Sequence, residues 1–185
     1  MSKSVLYSFI KRCSLKRLIQ LVFEDHLMFF CRPIPSYEGI LFRRLMYKLI
    51  FKRLGKTSII KPSVYMNHVF NISIGDYFGV NSNTHLEGRG GIEMGDHVMI
   101  GPNVFIGSSN HEIKASDDRP RTFQPCLLSR VKIGSHVWIG ANSVVCPGVE
   151  IGSYSIVGAG SVVVHNVPDN VVVVGNPARI IKTIK

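Results

Sequence analysis

Residues 133–163 read IGSHVWIGANSVVCPGVEIGSYSIVGAGSVV, and every sixth position is aliphatic: Ile133, Ile139, Val145, Ile151, Val157 and Val163. Upstream the same beat runs through Ile74, Val80 and Leu86, then through Met94, Ile100 and Ile106. In eight of these twelve hexads a glycine follows directly (Gly75, Gly95, Gly101, Gly107, Gly134, Gly140, Gly152, Gly158). Four residues after the aliphatic position stands a small or β-branched residue, as in Val98, Val104, Val137, Ser143, Val149, Ser155 and Ser161. A helix repeats its apolar face every 3.6 residues and a strand every two, so a period of six requires each hexad to be a short strand plus a turn. Three hexads then close one triangular coil, and the chain reads as a mainly β solenoid, a parallel β-helix.

In such a prism the aliphatic side chain points inward and stacks on its equivalent in the next coil, at roughly the 4.8 Å spacing of neighbouring strands. No coil buries its own faces, so stability comes from stacking and the open ends need caps. Glycine is expected at the corners for its access to positive φ, with Asp76, Asp96, Asn103 and Asn142 hydrogen-bonding locally at the same places.

The composition, 45% hydrophobic and 18% charged over 185 residues, fits one globular domain with a sizeable core. Cys13, Cys31, Cys126 and Cys146 show no CxxC spacing or paired framework, which suits free thiols in a reducing, cytoplasmic setting; none has a local partner signature of a nucleophile. The net charge of +10 is concentrated at one end: residues 1–61 carry 13 Lys or Arg against three acids, while the remaining residues carry nine of each. There the cations alternate with apolar residues, as in Lys16-Arg17-Leu18-Ile19 and Lys48-Leu49-Ile50-Phe51-Lys52-Arg53, the pattern of amphipathic helices. Two uses fit that pattern: capping the first coil, or peripheral attachment to an anionic membrane. Nucleic acid is not an expected partner, because no stacking module accompanies the charge. Glu24, Asp25, His26 and Arg32 break the longest apolar stretch, so no spanning helix is expected, and Lys16 and Arg17 stand where a signal peptide needs an apolar run.

The chain therefore divides into a basic helical region, residues 1–56, and a β-helix domain, residues 57–185. Between Ile106 and Ile133 the beat lapses for 27 residues, so a loop near 109–130 is extruded from a corner. Loops of that length in a compact domain are commonly functional. After Val163, the segment Ala178–Ile184 is expected to form a short helix capping the last coil.

The hexads, Asn110-His111, Val137-Trp138-Ile139-Gly140-Ala141, Val157-Gly158-Ala159-Gly160-Ser161 and Gly175-Asn176-Pro177-Ala178-Arg179 together resemble the hexapeptide-repeat acyltransferases, in their maltose, galactoside and nodulation O-acetyltransferase branch. The likeness covers roughly residues 60–184. It implies a left-handed parallel β-helix, a homotrimer, acetyl-CoA as acyl donor and a site between subunits. By that resemblance His111 is the general base, a role an imidazole fills well near neutral pH. Asn83 would contact the acetyl group, Ala141 and Ala159 would line the pantetheine arm, and Arg179 and Lys182 would meet the nucleotide phosphates. Val164 and His165 stand where the family often has Thr-Lys. Trp138, the only tryptophan, fits either the subunit interface or a plain structural role.

His68, His85, His97 and His136 read as surface residues, and no pair of histidines has the five-residue spacing of zinc-binding β-helices, so no metal site is expected. The basic N-terminal region resembles that of enzymes acting on cell-surface polysaccharide or its lipid-linked precursors. The expected reaction is O-acetylation of a saccharide hydroxyl at the cytoplasmic face of the membrane. An amino-sugar N-acetyltransferase, an antibiotic O-acetyltransferase and a non-enzymatic trimeric scaffold are the alternatives.

Overall fold

The structure, a computed structural model, describes residues 14–112 and 125–185. Five coils are stacked, each contributing one short strand to each of three parallel sheets. Sheet A is built from β1 (Arg53–Leu54), β4 (Ile72–Ile74), β7 (Ile92–Met94), β12 (Val131–Ile133) and β15 (Glu150–Ile151). Sheet B takes β2 (Ile59–Ile60), β5 (Gly79–Val80), β8 (Met99–Ile100), β13 (Trp138–Ile139) and β16 (Ile156–Val157), then β18 (Val171–Gly175) and β19 (Ala178–Thr183). Sheet C takes β3 (Tyr65–Asn67), β6 (His85–Glu87), β9 (Phe105–Gly107), β14 (Val144–Val145) and β17 (Val162–Val163).

The register carries out the hexad arithmetic. Leu54, Ile74, Met94, Ile133 and Ile151 stack in sheet A; Ile60, Val80, Ile100, Ile139, Val157 and Val173 in sheet B; Met66, Leu86, Ile106, Val145 and Val163 in sheet C. All twelve aliphatic residues of the repeat are buried, as are the seven residues four positions after them. The serines and threonine among these inner positions are satisfied: Thr84 Oγ1 donates to Gly101 O (2.7 Å) and Ser155 Oγ to Pro168 O (2.7 Å).

The corners differ from expectation. None of the eight glycines that follow the aliphatic residues has positive φ. Seven of them, all but Gly107, are small because coils touch there: a Cβ on Gly140 would lie 2.6 Å from Ala159 N, and one on Gly134 2.6 Å from Ser153 N. The left-handed conformation falls instead on Tyr77, His97, His136 and Tyr154 at the corner between sheets A and B, and on Ser63, Asn83, Asn103 and Asn142 at the corner between sheets B and C. Asp76 and Asp96 bond between coils and not locally: Asp96 Oδ1 accepts from Asp76 N (2.7 Å), and Asp76 Oδ1 from Lys56 N (2.8 Å).

Two helices cover the first coil, α1 (Leu15–Cys31) and α2 (Ser36–Tyr47). Each sends a buried charge to that open end. Arg43 Nε donates to Ile60 O (2.8 Å), and Glu24 Oε2 accepts from Val69 N (3.1 Å). Capping is therefore one use of this region, and the first coil already begins at Arg53, inside the segment 1–56 assigned to helices.

At the other end the expected C-terminal helix is absent. Residues 178–183 form β19, antiparallel to β18. Ile180, Ile181 and Thr183 are β-branched, and the exposed edge of the Val171–Val174 run supplies the backbone partners that a helix would leave unpaired. The extruded loop has a short antiparallel base, β10 (Ser109–His111) on β11 (Cys126–Leu128); its remainder, 113–124, lies outside the described residues.

Candidate active site

After β9 the chain leaves the prism through Ser108, whose buried hydroxyl donates to Glu87 O (2.7 Å) and accepts from Gly90 N (2.9 Å). That anchor launches β10 outward and leaves His111 exposed on its last residue, with Asn110 Oδ1 accepting from the His111 backbone N–H (2.9 Å). No described residue bonds Nε2 of His111. Directly across the ladder stands Cys126, with Sγ 3.9 Å from His111 Nδ1. Arg89 donates from its guanidinium to the same sulfur (3.2 Å).

Arg89 is held in turn by Glu87. Glu87 Oε1 accepts from Arg89 N (3.0 Å) and lies 3.8 Å from Arg89 Nε, while its Oε2 accepts from Ser109 Oγ (2.8 Å). His68 Nδ1 is buried 3.6 Å from Glu87 Oε1, and burial pushes its pKa below the ordinary imidazole value. His97 and His136 are exposed, as read from the sequence, but His68 and His85 are half-buried. The sequence also found no partner for any cysteine. Cys126 acquires one because the hairpin folds residues 15 apart onto each other. Glu87 and Arg89 carried no sequence signal of a role at this site.

The remaining expected residues fall into two groups. Asn83, Ala141, Ala159 and Arg179 descend one corner, between sheets B and C: Asn83 turns the second coil, Ala141 the fourth and Ala159 the fifth, and Arg179 pairs with Val174 below them. Ala141 and Ala159 are packed coil on coil, with Gly160 N donating to Ala141 O (2.8 Å); Ala141 is half-buried and Ala159 exposed. Arg179 and Lys182 are both exposed on β19, with Lys182 paired to Val172 farther along. His111, by contrast, lies beyond the other end of the sheet C strands, and exposed Val164 and His165 follow β17 at that same end. Within one chain, His111 and the corner of Ala141 and Ala159 thus lie beyond opposite ends of the sheet C strands.

The outward faces of the prism differ in polarity. Sheet A turns charged residues to solvent, with Lys132 paired to Glu150 (2.6 Å) and Arg130 to Glu93 (3.0 Å). Sheets B and C present Met99, Trp138 and Phe105, which are 49%, 47% and 39% exposed. Among the described residues no group of three or more His, Cys, Asp or Glu is arranged to hold a metal ion.

Comparison with known proteins bears out the fold and the family. Residues 130–165 match the family model for the bacterial transferase hexapeptide (six repeats). The chain is 35% identical over 142 residues to a galactoside O-acetyltransferase of Escherichia coli, covering 77% of this chain and 68% of that protein. It is 42% identical over 128 residues to nodulation protein L of Rhizobium meliloti, covering 69% and 68%. A putative colanic acid biosynthesis acetyltransferase of E. coli is 32% identical over 76% of this chain and 74% of its own length. Among solved structures, a hexapeptide-repeat acetyltransferase from Vibrio cholerae complexed with acetyl-CoA superposes with a TM-score of 0.84 at 30% identity, covering 94% of this chain and 91% of that one.

Proposed function

Since the chain belongs to the hexapeptide-repeat acetyltransferases, we propose that it moves an acetyl group from acetyl-CoA to a saccharide hydroxyl, with His111 as general base in a site shared by neighbouring protomers of a homotrimer. One observation carries this reading: His111 and the track of Asn83, Ala141, Ala159 and Arg179 flank sheet C from opposite ends. Stacking a second copy against the apolar outward faces would bring the base of one protomer to the track of the next.

In that site each residue has a chemical task. The small side chains of Ala141 and Ala159 let an extended thioester arm lie along the corner, and Arg179 offers phosphate a charge-assisted contact at its lower end, with Lys182 beyond. Asn83 would donate its amide to the oxygen that becomes negative in the tetrahedral intermediate. Val164 and His165 offer the phosphates no fixed cation, so Arg179 bears that load. His111 Nε2 takes the hydroxyl proton as the C–O bond forms. The C–S bond then breaks, and the imidazolium returns the proton to the departing thiolate. No covalent enzyme intermediate is needed.

The N-terminal helices support a cell-surface polysaccharide or its precursor as the acceptor. Leu15, Phe29, Phe30, Leu41 and Leu45 are exposed on α1 and α2, interleaved with Lys16, Arg17 and Arg44. No described helix is long and apolar enough to cross a membrane. Such a surface suits shallow contact with anionic lipid, which would hold the site beside a lipid-linked or growing polysaccharide at the cytoplasmic face. The deciding experiment follows thiol release from acetyl-CoA with saccharide acceptors. His111→Ala should lower turnover by about two to four orders of magnitude with an unchanged melting temperature; wild-type turnover in the variant would remove the base assignment.

A further inference from the structure

We propose that Cys126, set in place by Arg89 and Glu87, is a positioning residue that fixes which nitrogen of His111 carries the proton. The inference rests on His111 being the base, and it deepens that reading by naming what orients it. His111 and Cys126 are directly opposed in an antiparallel pair, so their side chains leave the ladder on the same side. Register, and not chance proximity of two mobile side chains, brings the sulfur to Nδ1 (3.9 Å).

The direction of the hydrogen bond follows from the third group. Cys126 Sγ already accepts from the Arg89 guanidinium (3.2 Å), and a cation beside sulfur favours lone-pair density there over donation of S–H to another acceptor. In the proposed arrangement the sulfur accepts from His111 as it does from Arg89, and Nδ1 brings the hydrogen. That leaves Nε2 unprotonated, free of described partners and available to take a proton from a hydroxyl. The tautomer is thus chosen by an arginine that never touches the imidazole.

Glu87 makes the arrangement tolerable. An unopposed guanidinium near His111 would resist the imidazolium that forms when the base accepts its proton. Glu87 lies 3.8 Å from Arg89 Nε, accepts from the Arg89 backbone N–H (3.0 Å), and is itself fixed by Ser109 (2.8 Å), two residues before the base. Glu87 is also the residue that turns outward at the end of β6, on the rigid prism. The chain Glu87, Arg89, Cys126, His111 therefore transmits the position of a packed coil to a side chain on an extruded hairpin.

The test combines spectroscopy with kinetics. With 15N-histidine labelling, His111 in the wild-type protein should show the Nδ1–H tautomer at neutral pH; the Nε2–H tautomer there overturns the proposal without any variant. Cys126→Ala should shift His111 toward a mixture and lower kcat about tenfold, the worth of one weak hydrogen bond, with the KM for acetyl-CoA unchanged. Cys126→Ser, which keeps an acceptor, should restore most of both signals, and Arg89→Met should move both in the direction of Cys126→Ala. Unchanged tautomer and kcat in Cys126→Ala would overturn the role of Cys126 alone. Full activity in His111→Ala would overturn the base assignment on which the role depends.

Discussion

His97 and His136 stack ring on ring, with centroids 4.5 Å apart and planes within 10°, although 39 residues and the extruded loop separate them in sequence. Tyr77 lies on the outer face of His97 (4.6 Å) and Tyr154 on that of His136 (4.6 Å), so four rings run down the corner between sheets A and B. Each ring residue is in the left-handed region, at φ between 56° and 58°, a conformation that costs a non-glycine residue about 1 kcal/mol. Stacking returns a comparable amount, about 0.5–1.5 kcal/mol per aromatic pair. His136→Ala should therefore lower the melting temperature by removing two stacks while keeping the strain. His136→Gly, which relieves the strain, should fall less; an equal or larger fall for glycine in thermal unfolding would contradict this balance.

The inter-coil glycines predict a sharp contrast between two similar substitutions. A Cβ on Gly140 would meet Ala159 N at 2.6 Å, whereas one on Gly79 would meet nothing within 4 Å. Gly140→Ala should cost about 3 kcal/mol or more by forcing coils apart, and Gly79→Ala should be neutral. Soluble yield and thermal unfolding of the two variants, measured together, decide the point.

Glu24 gives the N-terminal cap a pH dependence. Burial pushes its pKa from 4.5 to about 7, against the backbone N–H groups of Val69 and His68, which favour the ionised form. Because the folded value is the higher one, its contribution to stability is fully present below pH 4.5 and is lost as pH rises through 7. Glu24→Gln keeps an acceptor for Val69 and has no charge to bury. It should match wild type at pH 4.5 and be more stable at pH 8, by up to roughly 3 kcal/mol for a shift of that size. Equal melting curves at pH 8 would show that Glu24 is not strained by burial.

His68 and His85 have the opposite sign. Burial lowers both imidazole pKa values in the fold, so stability should decline as pH falls below the ordinary value of 6.5. In Glu24→Gln, which lacks the opposing carboxyl, the melting temperature should fall as pH drops below 6.5.

If sheets B and C pack against other copies, a charge on either should free the protomer. Phe105→Glu and Trp138→Glu lie on outward faces and touch no core stack, so each should leave the β-helix folded by circular dichroism while lowering the molar mass in light scattering. Activity should fall with the assembly. An intact trimer carrying both substitutions would place the interface elsewhere.

The helical surface makes a separate prediction. The protein should sediment with vesicles containing anionic phospholipid, less so in high salt and not with neutral vesicles. Phe29→Ser with Phe30→Ser should reduce binding without changing thiol release toward a soluble acceptor. Binding unaffected by both changes would remove the membrane contact.

The sequence determined the prism and its core by itself, because in a coil of three hexads the inward position recurs at a fixed local spacing. Ile133, Ile139 and Val145 needed no knowledge of their neighbours to be placed. His111 came forward as the candidate base only through the resemblance carried by Asn110-His111 and its place beside the lapse in the repeat. What only the tertiary structure decided depends on partners from other coils. Corner positions fell to Tyr77, His97 and His136 because rings stacked across coils offset their strain, and the hexad glycines turned out to mark close approach. Ala178–Thr183 became a strand because β18 left an edge to be paired, a condition invisible to local propensity. Glu24 and Arg43 are buried because the first coil leaves backbone groups that a hydrogen-bonding group on a long side chain reaches. Cys126 joined His111 for the same kind of reason: a hairpin's register, not its sequence, fixes which residues face each other.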